Sequence, residues 1–180
     1  MIDRPVPASA LVFDLRGEPT SLLDLTGGPC VIWTFPGLRL GEVRLDRHGR
    51  RLECDRAHNA CTAQAQAFDH HLADFRALGV DVVGISGRAP SELSAWARAV
   101  HCPRIWSDMD LRLSGLGVPL DIDSEGEPVY ERTASYVEDG RIKVTFPPSG
   151  CAPGDLAPRV LQWLRGARHG IAPCSGANDE

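Results

Sequence analysis

Three residues able to bind metal or attack an electrophile fall within eight positions of this chain: Cys54, His58 and Cys61. Cys61 opens an amphipathic stretch, ACTAQAQAFDHHLADFRALG, and a short apolar run, CVIWTF, lies upstream at 30–35. The spacing predicts a helix over 62–78, which puts Cys61 in its first turn. Unpaired N–H groups and the positive end of the helix dipole there favour thiolate over thiol. The thiolate is the nucleophilic form, so Cys61 is the predicted centre of thiol redox chemistry. Its neighbour His58 offers two chemistries. A histidine beside a thiol depresses its pKa or relays its proton. Alternatively, Cys54, His58 and Cys61 form a Cys-x₃-His-x₂-Cys zinc-ligand set, with His70 or His71 as fourth ligand.

The elements that must position Cys61 are legible in outline. Val31 to Phe35 is continuously apolar, as a central strand covered on both faces requires, and Pro36-Gly37 ends it. Ala65, Phe68, Leu72 and Phe75 recur at three- and four-residue steps and mark the buried face of the helix, which Gly79 closes. A short strand from Ala10 to Leu15 and a helical turn from Ser21 to Leu25 precede this unit. After it come a strand over 80–85, a helix over 91–100, a short strand over 104–106 and a helical turn over 110–116. Glu138-Asp139-Gly140 separates two strand-like runs, RTASYV and RIKVTF, as a hairpin turn does. Leu156, Val160 and Leu164 mark a last helix. Strands alternating with helices predict an α/β domain with a mixed central sheet flanked by helices.

With 180 residues the chain is long enough for one full core. The predicted organisation is a single domain over 1–168, an inserted arginine-rich loop over 38–59 and a disordered tail over 169–180. A net charge of −5 argues against a general nucleic-acid or anionic-membrane binder. The loop arginines, Arg39, Arg44, Arg47, Arg50, Arg51 and Arg56, are interleaved with Glu42, Asp46, Glu53 and Asp55, as on a solvated face. No apolar run has the length of a membrane span, and the N-terminus lacks a secretory h-region. Six cysteines without such a leader predict reduced thiols and a cytoplasmic protein.

From the strand VIWTFPG, the helix ACTAQAQAFDHHLADFRALG, the strand VDVVGIS, the segment IWSDMDLRLSGLGVP and the hairpin RTASYVEDGRIKVTFPP, the chain resembles the peroxiredoxins. The resemblance runs from about Pro5 to Arg165 and is to bacterial members of the bacterioferritin-comigratory or Q type with a long insertion before the cysteine. It implies a thioredoxin-like fold and a thiol-dependent peroxidase acting on hydrogen peroxide or organic hydroperoxides. No metal or organic cofactor is implied. Thioredoxin or a low-molecular-weight thiol is the implied reductant, and a homodimer the implied assembly.

By this resemblance Cys61 matches the peroxidatic cysteine, and Arg132, at the start of the hairpin, matches the arginine that stabilises the thiolate and polarises the peroxide. Two positions depart from the family pattern. His58 stands where the motif Pro-x-x-x-Thr-x-x-Cys has threonine, and Gln66 stands where Q-type members often carry a resolving cysteine. The resolving role then falls to Cys54, to Cys151 before the last helix, or to an external thiol. Cys30 and Cys102 read as structural, and Cys174 as a free thiol of the tail. A redoxin recruited to biosynthetic or sensing chemistry is the alternative these departures leave open.

Overall fold

The computed structural model describes residues 4–7, 9–37, 55–102, 104–123, 125–147 and 152–168, with the backbone alone for 4, 55–59 and 168. Cys54, Cys151, Cys174, most of the predicted loop and the predicted tail lie outside these residues. The strands are β1 (Arg4–Pro5), β2 (Leu11–Phe13), β3 (Pro19–Ser21), β4 (Cys30–Thr34), β5 (Asp81–Ser86), β6 (Ile105–Ser107), β7 (Leu120–Ile122), β8 (Pro128–Tyr130), β9 (Thr133–Glu138) and β10 (Arg141–Phe146). The helices are α1 (Leu22–Leu25), α2 (Asp55–His70), α3 (Leu72–Ala77), α4 (Pro90–Ala99) and α5 (Leu156–Arg168), with a 3₁₀ turn at Arg112–Leu116.

Eight strands form one mixed sheet in the order β1-β10-β9-β4-β5-β6-β2-β3, and β7 and β8 form a separate two-stranded ribbon. At its centre β4 runs parallel to β5 and antiparallel to β9. Side chains alternate across a strand, so β4 divides its residues between two cores. Val31, Trp33 and Phe35 face one layer, which also holds Cys61, Phe68, Phe75, Trp96, Val160 and Leu161. Cys30 and Ile32 face the other, with Leu22, Leu113, Tyr130 and Val137. The α/β architecture expected from the alternating pattern is therefore present, with helices on both faces.

The glycine in β5 has a packing reason. Gly84 pairs with Trp33, and a Cβ there would lie 2.5 Å from the Trp33 indole. Trp33 in turn stacks on Phe68 of α2 at 5.4 Å and on Phe35 at 4.9 Å. This aromatic column seats α2 on the sheet. The hairpin forms at Asp139 and Gly140, whose φ values of 54° and 65° are those of a two-residue type I′ turn.

Two expectations need correction. The helix does not begin at Thr62 but at Asp55, so 55–59, expected as the end of the inserted loop, form its first turns together with Ala60. Those turns, DRAHNA, carry no apolar stripe, and the periodicity that marks the rest of the helix is silent there. Further on, the expected single helix is interrupted at His71, and Phe75 of α3 continues the buried stripe. The β7–β8 ribbon is an element that the sequence reading missed; its strands are three residues each, too short for a period to register.

Candidate active site

Cys61, Ala65 and Phe68 lie four and three residues apart on α2 and share the stripe facing the sheet, so Cys61 is fully buried. This placement removes the expected helix-terminus effect. Cys61 is the seventh residue of α2, and the field of the dipole fades within the first turn. Thiolate stabilisation must come from elsewhere.

Two donors supply it. Arg132 Nη1 donates to Cys61 Sγ at 3.7 Å, within the range for a hydrogen bond to sulfur. The backbone N–H of Gly37 also donates to the thiol sulfur. Burial is nevertheless the strongest influence and holds the Cys61 thiol above its ordinary pKa. The Arg132 charge, the Arg132 hydrogen bond and the Gly37 amide oppose it, in that order. In the resting structure the thiol is thus a buried, largely neutral group with its counter-charge already in place.

Arg132 owes its direction to strand parity. It precedes β9 and shares parity with Ala134 and Tyr136, which face the α2 layer, while Thr133, Ser135 and Val137 have the opposite parity. The end of β4 is fastened to this corner. Thr34 pairs with Thr133 in register; their hydroxyl oxygens lie 2.7 Å apart, and the Thr34 hydroxyl donates to the Glu131 carbonyl at 2.8 Å. From the helix side, the fully buried Gln64 donates from Nε2 to the Thr34 carbonyl at 3.2 Å. Its Oε1 has no partner among the described residues.

Gly37 is placed as narrowly. Its φ is +71°, and a Cβ would lie 2.4 Å from Arg88 Cγ and 2.7 Å from Ser86 Oγ. Arg88 is itself fixed by an ion pair, Nη2 to Asp123 Oδ2 at 2.7 Å, and this partner holds the Asp123 carboxyl down at about 2. The amide that meets Cys61 therefore rests on a packed arginine stem.

Of the candidate residues, the structure brings Cys61 and Arg132 together. His58 lies in the first turn of α2, and its side chain is outside the described residues, as are Cys54 and Cys151 entirely. Of the zinc-ligand set, the described side chains are Cys61, which is buried, and the fourth-ligand candidates His70, which is exposed, and His71, whose Nδ1 lies 3.0 Å from Asp74 Oδ2. Gln66 is exposed, away from the buried stripe. Cys30 and Cys102 are buried; burial pushes their thiols up to about 12 and about 11, which suits packing residues. Gly37, Thr34 and Gln64 were not singled out by the sequence reading. Gln64 had a signal: it sits one turn after Cys61, a position that shares its face, and it is an amide in an apolar stripe.

A mixed central sheet flanked by helices, with a buried thiol on α2 and a guanidinium reaching it from the start of the hairpin, has the architecture of a thioredoxin-like fold. The comparisons with known proteins narrow that class. No protein-family model matches the chain. It is 29% identical over 119 residues to the chloroplastic peroxiredoxin Q of Gentiana triflora, a match covering 65% of this chain and 46% of that protein. The chain spans about half the length of the curated relatives it matches. Among solved structures, a mutant form of PrxQ from Xylella fastidiosa superposes with a TM-score of 0.69 at 15% identity, covering 93% of this chain and 97% of that one. Reduced Prx3 of Vibrio vulnificus, in complex with hydrogen peroxide, gives 0.67 at 20% identity, with 91% and 99% covered. In sequence the chain is similar to the Q-type peroxiredoxins over about two thirds of its length, and it shares the thioredoxin-like fold of the solved peroxiredoxins.

Proposed function

We propose that the protein is a thiol-dependent peroxidase that reduces hydrogen peroxide or an organic hydroperoxide at Cys61. The observation that carries the proposal is the Arg132 guanidinium 3.7 Å from the buried Cys61 sulfur. The similarity to peroxiredoxin Q, and the peroxide bound to the Vibrio vulnificus neighbour, support the same reading.

In the proposed reaction the Cys61 thiolate attacks one peroxide oxygen in line with the O–O bond. An S–O bond forms as O–O breaks, sulfur loses two electrons, and the departing hydroxide or alkoxide takes a proton to leave as water or alcohol. Negative charge moves from sulfur to the leaving oxygen. A guanidinium and an amide aimed at the sulfur stabilise charge over that path without having to reorganise. The product is a cysteine sulfenic acid. A second thiol then attacks the sulfenic sulfur, releasing water and forming a disulfide, which a further thiol reduces. Cys54, Cys151 or an external thiol fills the resolving role, and thioredoxin or a low-molecular-weight thiol closes the cycle.

The test is peroxide consumption by the Cys61→Ser variant, followed with a thiol reductant in excess. The expected result is loss of catalysed turnover with the fold retained by circular dichroism. Undiminished turnover in this variant removes Cys61 as the nucleophile and the proposal with it.

A further inference from the structure

We propose that Thr34 is the positioning residue that sets the distance between Arg132 and Cys61. The inference rests on the reading of Cys61 as the reactive thiol, and it concerns a residue that touches neither sulfur nor guanidinium. Its hydroxyl and its carbonyl each hold one half of that pair.

The hydroxyl of Thr34 has a single proton, which goes to the Glu131 carbonyl at 2.8 Å. The close oxygen–oxygen contact of 2.7 Å with Thr133 must therefore carry the Thr133 proton, with Thr34 accepting. Glu131 and Thr133 flank Arg132 in the chain, so one hydroxyl fastens the backbone on both sides of the arginine. Thr34 shares parity with Cys30 and Ile32, so this clamp lies on the sheet face opposite Cys61 while Arg132 projects to the near face. The carbonyl of Thr34 does the complementary job, accepting from Gln64, which lies one turn beyond Cys61 on α2. Both Thr34 and Thr133 are buried, and a lost partner there is not replaced by bulk water.

This assigns a reason for threonine at the end of an otherwise apolar strand. Valine has nearly the same shape and would pack as well against its neighbours. It would leave the Glu131 carbonyl and the Thr133 hydroxyl unmatched and free the arginine corner to shift. A guanidinium displaced by an ångström or two loses its hydrogen bond to sulfur and much of its hold on the thiolate.

The experiment is site-resolved alkylation of Cys61 by iodoacetamide between pH 6 and 10, read by mass spectrometry, in Thr34→Val, Thr34→Ser and Arg132→Met backgrounds. Thr34→Val is expected to raise the Cys61 titration by about one unit, a roughly tenfold smaller thiolate fraction at neutral pH. Thr34→Ser, which keeps the hydroxyl, is expected to stay within about twofold of the parent protein. In the Arg132→Met background Thr34→Val should add nothing, because a residue acting through Arg132 has no effect once it is gone. A Thr34→Val titration that overlays the parent overturns the proposal. So does a shift that serine does not restore, or one that persists in full without Arg132. If Thr34→Val fails to fold, Thr133→Val removes the paired donor and carries the same expectations. Alkylation uses no peroxide, so failure of the peroxidase reading appears in turnover alone, and failure of the clamp in the titration.

Discussion

Replacing Arg132 by methionine tests the central claim about this site, because it removes the charge and keeps the length of the stem. With Nη1 and Sγ 3.7 Å apart, Coulomb's law at an effective dielectric of about 20 gives roughly 4.5 kcal/mol between a full positive and a full negative charge. Arg132 is only half-buried, so water takes up part of that loss when the guanidinium is removed. A rise of about one to three pKa units in the Cys61 thiol is the corresponding expectation. The sign follows from the two forms: the guanidinium favours thiolate, so its loss favours thiol. At any pH below both titrations the reactive fraction then falls about tenfold per unit, and alkylation slows by about 10- to 1000-fold. Well above both titrations the two proteins should alkylate at similar rates. Peroxide turnover should fall at least as far, because the leaving oxygen also loses a donor. Alkylation profiles for parent and variant that coincide within about twofold from pH 6 to 10 refute the pairing of Arg132 with the thiolate.

Gly37→Ala should weaken both fold and thiol reactivity. Its φ of +71° and the 2.4 Å approach of a Cβ to Arg88 leave no room for the methyl group, and left-handed backbone alone costs about 1–2 kcal/mol. Urea unfolding together with Cys61 alkylation checks this, and an unchanged midpoint with unchanged alkylation contradicts it. Alkaline stability tests the buried thiols. Cys30 and Cys102 are held up at about 12 and about 11, whereas an unfolded cysteine ionises near about 8.5. Their stabilisation is therefore complete below about pH 8.5 and is lost as pH rises toward the folded values, at about 1.4 kcal/mol per pH unit for each thiol. Urea titrations between about pH 8.5 and 10 should show that slope, reduced by one thiol's share in Cys30→Ala; a midpoint flat over that range contradicts the burial argument.

The parts of the fold that sequence reveals are those with a strong local signal. CVIWTF can only be a strand covered on both sides, Asp139-Gly140 supplies the two positive φ values a tight hairpin needs, and the stripe through Ala65, Phe68 and Phe75 announces a helix. The first turns of α2 gave no such signal because DRAHNA contains good helix formers but no apolar face. That omission mattered chemically: it made Cys61 look like a helix-start cysteine and credited its activation to the dipole. Arg132 was found through resemblance, and its orientation then follows from strand parity. Gly37 read as punctuation after β4, and nothing local says that its amide meets a sulfur or that Arg88 packs where its side chain would be. The Thr34 hydroxyl acts on a carbonyl 97 residues away in sequence, and Gln64 reaches back 30 residues to β4. Only the closed sheet, with α2 seated on it, creates those pairings.

Burial and charge oppose each other at Cys61, and that opposition suits the role proposed for it, a nucleophile selective for one oxidant. An exposed thiolate of low pKa reacts with many electrophiles; a buried thiol kept above its ordinary pKa reacts with few. Here the counter-charge is fixed in advance by β9 and the end of β4, so the field that favours thiolate is present before any substrate arrives. What burial withholds is solvation of the anion. A small polar molecule entering beside Arg132 brings hydrogen-bonding groups of its own, lowering the desolvation penalty where the guanidinium is already aimed. Reactivity toward a peroxide should then exceed what the alkylation titration alone implies. Comparing the two rate–pH profiles for Cys61 measures that difference: a peroxide profile lying below the alkylation titration in pH shows activation on entry, and coincident profiles show that the resting thiolate fraction alone sets the rate.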